Sequence, residues 1–267
     1  MNRKLSSLAV TLMIATAFFI GGCQRQTENT HFYFVQITDT HFGRPEHTER
    51  TEKCVKSINK LPMPIECVVH TGDITADRLL NEKIVSEGKS ILEKIEVPMH
   101  LLPGNHDILT KKLLPTVDAY KKHFGDLYSK AEYNGVVFLF VYSEGFYEKI
   151  KIDNVDALKW IEESLKVADT KPVIIFHHTP SAKDFYGNRL HDSWPKDMQA
   201  KWRKLINSYN VKAVITGHFH RDELHWLGNI PLYVSPPVAA FWGRQATYRI
   251  YEYNNGKIGY RTRYVED

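Results

Sequence analysis

A chain of 267 residues with 43% hydrophobic and 25% charged side chains can bury one substantial core, and is too well mixed for a disordered or fibrous protein. The formal charge of +4 includes Arg3 and Lys4 at the extreme N-terminus. The remainder, about +2, is too small to indicate a nucleic-acid or anionic-lipid partner. No internal repeat, low-complexity stretch or long Gly/Ser linker divides the sequence.

The first segment reads as an address. Basic Met1-Asn2-Arg3-Lys4 precedes an apolar run from Leu8 to Ile20, which ends Gly21-Gly22-Cys23. The run has signal-peptide length and is short for a membrane span. Small residues before a cysteine resemble a bacterial lipobox. That resemblance implies removal of residues 1–22, lipid on Cys23 and a polar tether over 23–30, which leaves residues 31–267 as a single domain. The expected place is the bacterial cell envelope, exported and lipid-anchored at the periplasmic or extracellular face. The alternatives are a plain secretory signal and an uncleaved anchor. Cys54 and Cys67 remain, and export permits either a disulfide or two separate buried thiols.

Short apolar runs rich in β-branched residues then alternate with helical patterns. Phe32 to Ile37 reads as a strand leading into Asp39-Thr40-His41. A helix follows over Thr48 to Lys60, stopped by Pro62. Cys67-Val68-Val69 leads into Gly72-Asp73, and a helix covers Asn81 to Ile95. Val97 to Leu102, with Pro98 inside, leads into Gly104-Asn105-His106-Asp107. The lysines Lys111-Lys112 and Lys121-Lys122 read as a solvated helix face. Asn154 to Val167 is helical, with Asp153 or Asn154 as N-cap. Val173 to Phe176 leads into His177-His178, Asp197 to Ile206 is helical, and Val211 to Ile215 leads into Gly217-His218-Phe219-His220. Strands close the chain at Leu232–Ser235, Thr247–Tyr253 and Lys257–Tyr264, the last two joined by the hairpin signal Asn254-Asn255-Gly256. Strands alternating with helices predict an α/β sheet covered by helices.

Each polar segment taken alone reads as a turn or helix cap. Their recurrence at the carboxyl ends of five apolar runs predicts one convergent site. Imidazoles and carboxylates suit Zn, Fe and Mn. Asp39 and His41, and likewise His218 and His220, are two residues apart, so each pair can leave an extended backbone on one side. Gly72 and Gly217 permit sharp turns. Asp73 has two oxygens with which to bridge a pair of ions. Two ions at about 3.5–4 Å can lower the pKa of water and clamp a phosphoryl centre.

In these motifs the chain resembles the calcineurin-like metallophosphoesterases over roughly residues 31–252. The resemblance implies a four-layer α/β/β/α sandwich as a single domain, two divalent metal ions (Mn, Zn or Fe) and hydrolysis of a phosphomonoester or phosphodiester. It places Asp39, His41 and His220 on a first metal, Asn105, His177 and His218 on a second, and Asp73 between them. A metal-bridging hydroxide would attack in line. His106 would assist the leaving oxygen, and Asp107 would orient His106. At the fifth motif His177 is taken as the ligand because it directly follows the apolar strand, with His178 as the alternative. Among branches, the bacterial lipoprotein-type and purple-acid-phosphatase-related proteins are most similar, although Ile74, Thr75 and Ala76 follow Asp73 where purple acid phosphatases have a tyrosine ligand.

The irregular stretch Pro180 to Pro195 contains Phe185, Tyr186, Arg189, His191 and Trp194, and joins a ligand strand to a helix. Such loops often form substrate walls, so Tyr186 and Trp194 are candidate substrate contacts. Arg244, in Phe241-Trp242-Gly243-Arg244, is a candidate phosphate clamp, and His225-Trp226 is a similar second segment. The expected partner is a small phosphoester, with membrane contact through lipid only and no nucleic acid. A different class stays open: a surface lipoprotein that binds metal or phosphate without turnover.

Overall fold

The computed structural model describes residues 30–147, 152, 155–187, 194–241 and 243–265. Expectations for residues 1–22, Cys23, the tether, Asp153, Asn154, Arg189, His191 and Trp242 concern residues outside this set, Thr30 excepted. In chain order the elements are β1 (His31–Ile37), α1 (Pro45–Ile58), β2 (Val68–Thr71), α2 (Glu82–Leu92), β3 (Met99–Leu102), a 3-10 turn (Thr110–Lys112), α3 (Leu113–Phe124), β4 (Tyr128–Tyr133) and β5 (Val136–Val141). They continue with α4 (Glu144–Tyr147), α5 (Ala157–Ala168), β6 (Val173–Phe176), α6 (Lys196–Ile206), β7 (Val211–Thr216), β8 (Glu223–Leu227), β9 (Ile230–Val234), β10 (Ala246–Asn254) and β11 (Lys257–Val265).

Two sheets form, in the orders β11-β10-β1-β2-β3 and β4-β5-β6-β7-β9-β8. β1, β2 and β3 run parallel, as do β5, β6, β7 and β9. The first sheet adds antiparallel β10 and β11 on one side, and the second has antiparallel β4 and β8 at its edges. Side-chain alternation sorts the core into three layers. In β1, Phe32 and Phe34 join the layer between the sheets while Val35 and Ile37 face α1 and α2. In the second sheet Val137, Leu139, Val173 and Ile175 pack outward with Ile161 and Leu165 of α5 and Trp202 of α6. Strands buried on both faces are what parallel sheets require, and they explain the near-continuous apolar runs. The result is the expected four-layer α/β/β/α sandwich.

Between the sheets the rings interlock. Phe34 stacks on Tyr251 at 5.0 Å and meets Phe138 edge-on at 5.1 Å. Each such pair contributes about 0.5–1.5 kcal/mol beyond burial alone.

Local chemistry moves several boundaries. α1 begins at Pro45, earlier than Thr48, because proline at the first helical position has no amide left to satisfy. The next helix is capped by Asn81, whose side chain accepts from Ile84 N. α5 begins at Ala157 rather than Asn154, since the Asp156 side chain accepts from Lys159 N. β3 starts after Pro98, which has no N–H to give; its carbonyl accepts from Val68 N. The hairpins β4–β5 and β8–β9 were not read from the sequence.

Cys54 and Cys67 are both free and buried. Cys54 packs under the helices and Cys67 between the sheets, on opposite faces of one sheet, so no bridge can join them. Burial pushes both thiols up to about 12. Among the described residues, no helix is long and apolar enough to cross a membrane.

Candidate metal centre

The carboxyl ends of β1, β2, β3, β6 and β7 meet at one edge of the sandwich. The backbone there is strained in a consistent way: Asp39, His41, Asp73, His218 and His220 have φ of 53°, 46°, 54°, 71° and 52°. Left-handed residues other than glycine cost about 1–3 kcal/mol each and persist only where the surroundings over-determine them. Here hydrogen bonds do so. Asp39 N and His41 N donate to the carbonyls of Gly72 and Asp73, each at 3.0 Å. Gly72 itself has φ 93°, and a Cβ on it would fall 2.7 Å from His178 Nδ1, so neither the turn nor the space admits another residue.

Two groups of donors converge. Asp39, His41, Asp73 and His220 each offer an atom within 4.8 Å of the others, and so do Asp73, His178 and His218. All are buried except His218, which is half-buried. Asp39 Oδ2 accepts from Thr38 Oγ1 at 2.6 Å and His218 N at 3.2 Å, while its Oδ1 lies 3.0 Å from His220 Nε2. Asp73 Oδ1 accepts from His106 N at 2.9 Å. Its Oδ2 lies 3.6 Å from His41 Nε2 and 3.1 Å from His178 Nε2. Asn105 Oδ1 reaches the same His178 nitrogen at 3.1 Å. The nitrogens His41 Nε2 and His220 Nε2 lie only 3.4 Å apart.

This donor set fits a metal site. Imidazoles aimed at one another over buried carboxylates want a shared cation. Burial alone would raise Asp39 and Asp73, yet the surrounding histidines hold both carboxyls well below the usual range. Burial opposes a charge on His178 too, but Asp73 and Asp39 push it up to about 10.

Three sequence expectations are corrected. His177 is not in the cluster; His178 is. Strand parity decides it: Val173, Ile175 and His177 project to the helix side of β6, Ile174, Phe176 and His178 to the other. His177 rests on Trp194 and Trp202 with ring centroids at 5.1 and 5.8 Å, and burial drops it to about 3. His178 Nδ1 donates to the Thr71 carbonyl at 2.7 Å, which points Nε2 into the site.

The Asp107 carboxylate is engaged away from the His106 ring. It accepts from Gly104 N, Ile74 N, Thr75 N and Thr75 Oγ1, clamping two loops together. Burial and the charge of Asp73 push it up to about 6. The carboxylate on His106 is Asp77, whose Oδ1 lies 2.9 Å from His106 Nδ1.

The expected substrate contacts also fall elsewhere. A cleft of about 610 Å³ lies over the donors, walled by Arg44, Asp77, Arg78, His106 and Phe241 among others, but not by Tyr186, Trp194 or Arg244. Trp194 is 1% exposed because it packs against His177, Phe146 and Trp202. Tyr186 is exposed, with the Arg221 guanidinium 4.1 Å above its ring. Arg244 donates to the His220 carbonyl, holding a ligand loop rather than a substrate.

Sequence reasoning missed Asp77, Phe241 as a ring stacked on His220 at 4.7 Å, and His70. His70 is buried and neutral, its Nε2 2.9 Å from Thr40 Oγ1 and its Nδ1 accepting from Gly72 N. Burial drops it to about 3. A histidine inside the run Val68-Val69-His70-Thr71 was its only signal.

Human serine/threonine-protein phosphatase CPPED1 is 26% identical over 246 residues, 80% of this chain and 77% of its own. A probable glycerophosphodiester phosphodiesterase GpdQ of Arcobacter nitrofigilis is 26% identical over 215 residues, 70% of this chain and 71% of its own. Among solved structures, a dimetal phosphatase from Danio rerio superposes with a TM-score of 0.59 at 14% identity, covering 88% of this chain and 99% of that one. Purple acid phosphatase PPD1 from yellow lupin gives 0.66 at 14% identity, covering 90% of this chain and 53% of that one. These two likenesses show a shared fold. The family model for calcineurin-like phosphoesterases matches residues 32–222, and the chain belongs to that family.

Proposed function

We propose that this protein is a hydrolase of phosphoesters working at two divalent metals. Asp39, His41 and His220 would hold one, Asn105, His178 and His218 the other, and Asp73 would contribute to both. The observation that carries this is the membership of Asp73 in both donor groups. When bound, such a pair lowers the pKa of a water and neutralises phosphoryl oxygens.

The chain's own residues do the rest. Asp77 holds Nδ1 of His106 on the cleft wall, leaving Nε2 to carry a proton to the departing oxygen. Burial opposes protonation of His106, but Asp73 and Asp77 outweigh it and raise its pKa above the ordinary value. Asp107 fixes the loop that bears Asn105 and His106 to the loop that bears Asp73. Phe241 closes one wall behind His41 and His220.

The related phosphatase and probable phosphodiesterase support monoesters and diesters alike as the substrate class. The test is to strip the full chain of metal, restore Mn²⁺ or Zn²⁺, and compare a nitrophenyl phosphodiester with the matching monoester, using Asp73→Asn as control. Metal-dependent turnover lost in the control is expected, and the faster ester names the class. Absence of turnover despite bound metal would favour a binding protein instead.

The lipobox reading belongs to the same proposal. Cleavage before Cys23 and acylation there would hold the enzyme at a membrane of the cell envelope. The intact mass of membrane-extracted protein is expected to lack residues 1–22 and to carry acyl chains; a mass without them overturns the anchor.

A further inference from the structure

The cleft has two cations that the hydrolytic reading leaves unused. Arg44 and Arg78 stand on its wall beside the donor cluster. They come from different loops, and the backbone brings them together. Past the ends of β1 and β2, Phe42 N donates to Ile74 O, Ala76 N donates to Phe42 O, and Phe42 pairs with Thr75 in a parallel bridge. Arg44 and Arg78 each follow two residues after a member of this ladder, Phe42 and Ala76. A Cβ on Gly43 would lie 3.3 Å from Arg78 Cγ, so the Arg78 stem runs across Gly43, next to Arg44.

Both arginines are exposed, and neither has a carboxylate partner among the described residues. The carboxylate nearest Arg78 in sequence, Asp77, is engaged with His106, and the one nearest Arg44, Glu46, lies in the first turn of α1. Arg44 also borders a second groove, where Glu49, Glu52 and Glu87 outnumber Arg44 and Lys83. The excess of carboxylates makes that groove a poorer place for an anion than the cleft side. Two like charges held side by side repel each other, and an anion between them removes that repulsion. The planar guanidinium suits phosphate and carboxylate oxygens in a way a lysine would not.

We propose that Arg44 and Arg78 form a subsite for a second anionic group of the substrate, so that the preferred substrate is a phosphoester carrying a further phosphate or carboxylate close to the scissile ester. This rests on the phosphoester-hydrolase reading above. The charge of the reacting phosphate would be met by the bound metals and His106, and the arginine pair is matched by additional negative charge on the same molecule.

The experiment uses the full chain with Mn²⁺ and two matched substrate pairs. Adenosine 3′,5′-bisphosphate is compared with 5′-AMP. A short phosphoserine peptide with Asp at the next position is compared with the same peptide bearing Asn. The doubly anionic member of at least one pair is expected to have kcat/KM higher by about 10-fold or more, allowing for solvent screening. In the R44Q/R78Q double variant that ratio is expected to fall toward one. A preference confined to the bisphosphate names phosphate as the second group; one confined to the Asp peptide names carboxylate. No preference in either pair, or a preference the double variant retains, overturns the subsite. A wild-type protein that hydrolyses the nitrophenyl esters but shows no preference within either matched pair sinks the subsite alone, whereas one that hydrolyses nothing overturns the hydrolase reading with it.

Discussion

Gly104 gives the most direct mechanical test of the site. A Cβ placed on it would lie 2.2 Å from Asp73 Oδ1 and 2.5 Å from Asp73 N. A carbon–oxygen contact needs about 3.3 Å, so in Gly104→Ala the two loops must part by about 1 Å. The Gly104 and Asp73 backbones cannot yield cheaply, because Asp107 ties Gly104 N to Ile74 N and Thr75 N. Asp73, shared by both donor groups, is therefore the residue displaced. A shift of about 1 Å at a reacting centre costs about 100-fold in rate, and kcat/KM is expected to fall at least that far, with weaker metal retention. Gly259→Ala is the control: nothing lies within 4 Å of its added Cβ, and it sits on the outer strand β11. Activity and metal content are read by ester hydrolysis and elemental analysis, with thermal unfolding followed alongside. Wild-type activity and metal content in Gly104→Ala would refute the reasoning. Equal losses in the Gly259 control would refute it as well.

Further outcomes follow from the same geometry. His178→Ala is expected to lose one bound metal and nearly all turnover, while His177→Ala keeps both metals and loses about 2–4 kcal/mol of stability for the vacated space against Trp194 and Trp202; elemental analysis and chemical denaturation separate the two. Asp77→Asn removes a partner that raises His106. The loss of activity as pH rises through the His106 pKa then begins at lower pH, most visibly with a poor leaving group, while metal content is unchanged. With His178 pushed up to about 10 in the metal-free chain, metal uptake near pH 7 must displace its proton, because the bound nitrogen is deprotonated. Metal affinity therefore rises with pH below that value, by up to about ten-fold per unit for this group. Calorimetry in buffers of different ionisation enthalpy is expected to register the released proton.

The sequence carried the site because its chemistry repeats at one structural address. Apolar runs end in Asp39 and His41, Asp73, Asn105, and His218 and His220, and all of these converge. What it did not carry depends on orientation. Directness after a strand favoured His177, but period-two alternation along β6 sends it to the helix side, a parity countable only once the burial of Ile174 and Ile175 is known. Asp107 sits beside His106 in sequence, yet its oxygens turn to backbone amides, and Asp77 arrives from another loop. Trp194 was read as a wall because its segment lacks periodicity, whereas a buried slot between Phe146 and Trp202 takes it. The β4–β5 hairpin was readable in Asn134-Gly135, whose φ of 49° and 78° match the turn predicted for Asn255-Gly256 at 49° and 85°.

The central claim is that two metals sharing Asp73 perform the hydrolysis. Titrating Mn²⁺ into metal-stripped full-length protein, while following both bound metal and turnover, tests it most directly. Turnover is expected to rise with occupancy of the second ion, to saturate at about two equivalents per chain as paired-metal catalysis requires, and to be absent in Asp73→Asn. Full turnover with one equivalent, or turnover that survives in the stripped protein, would contradict it.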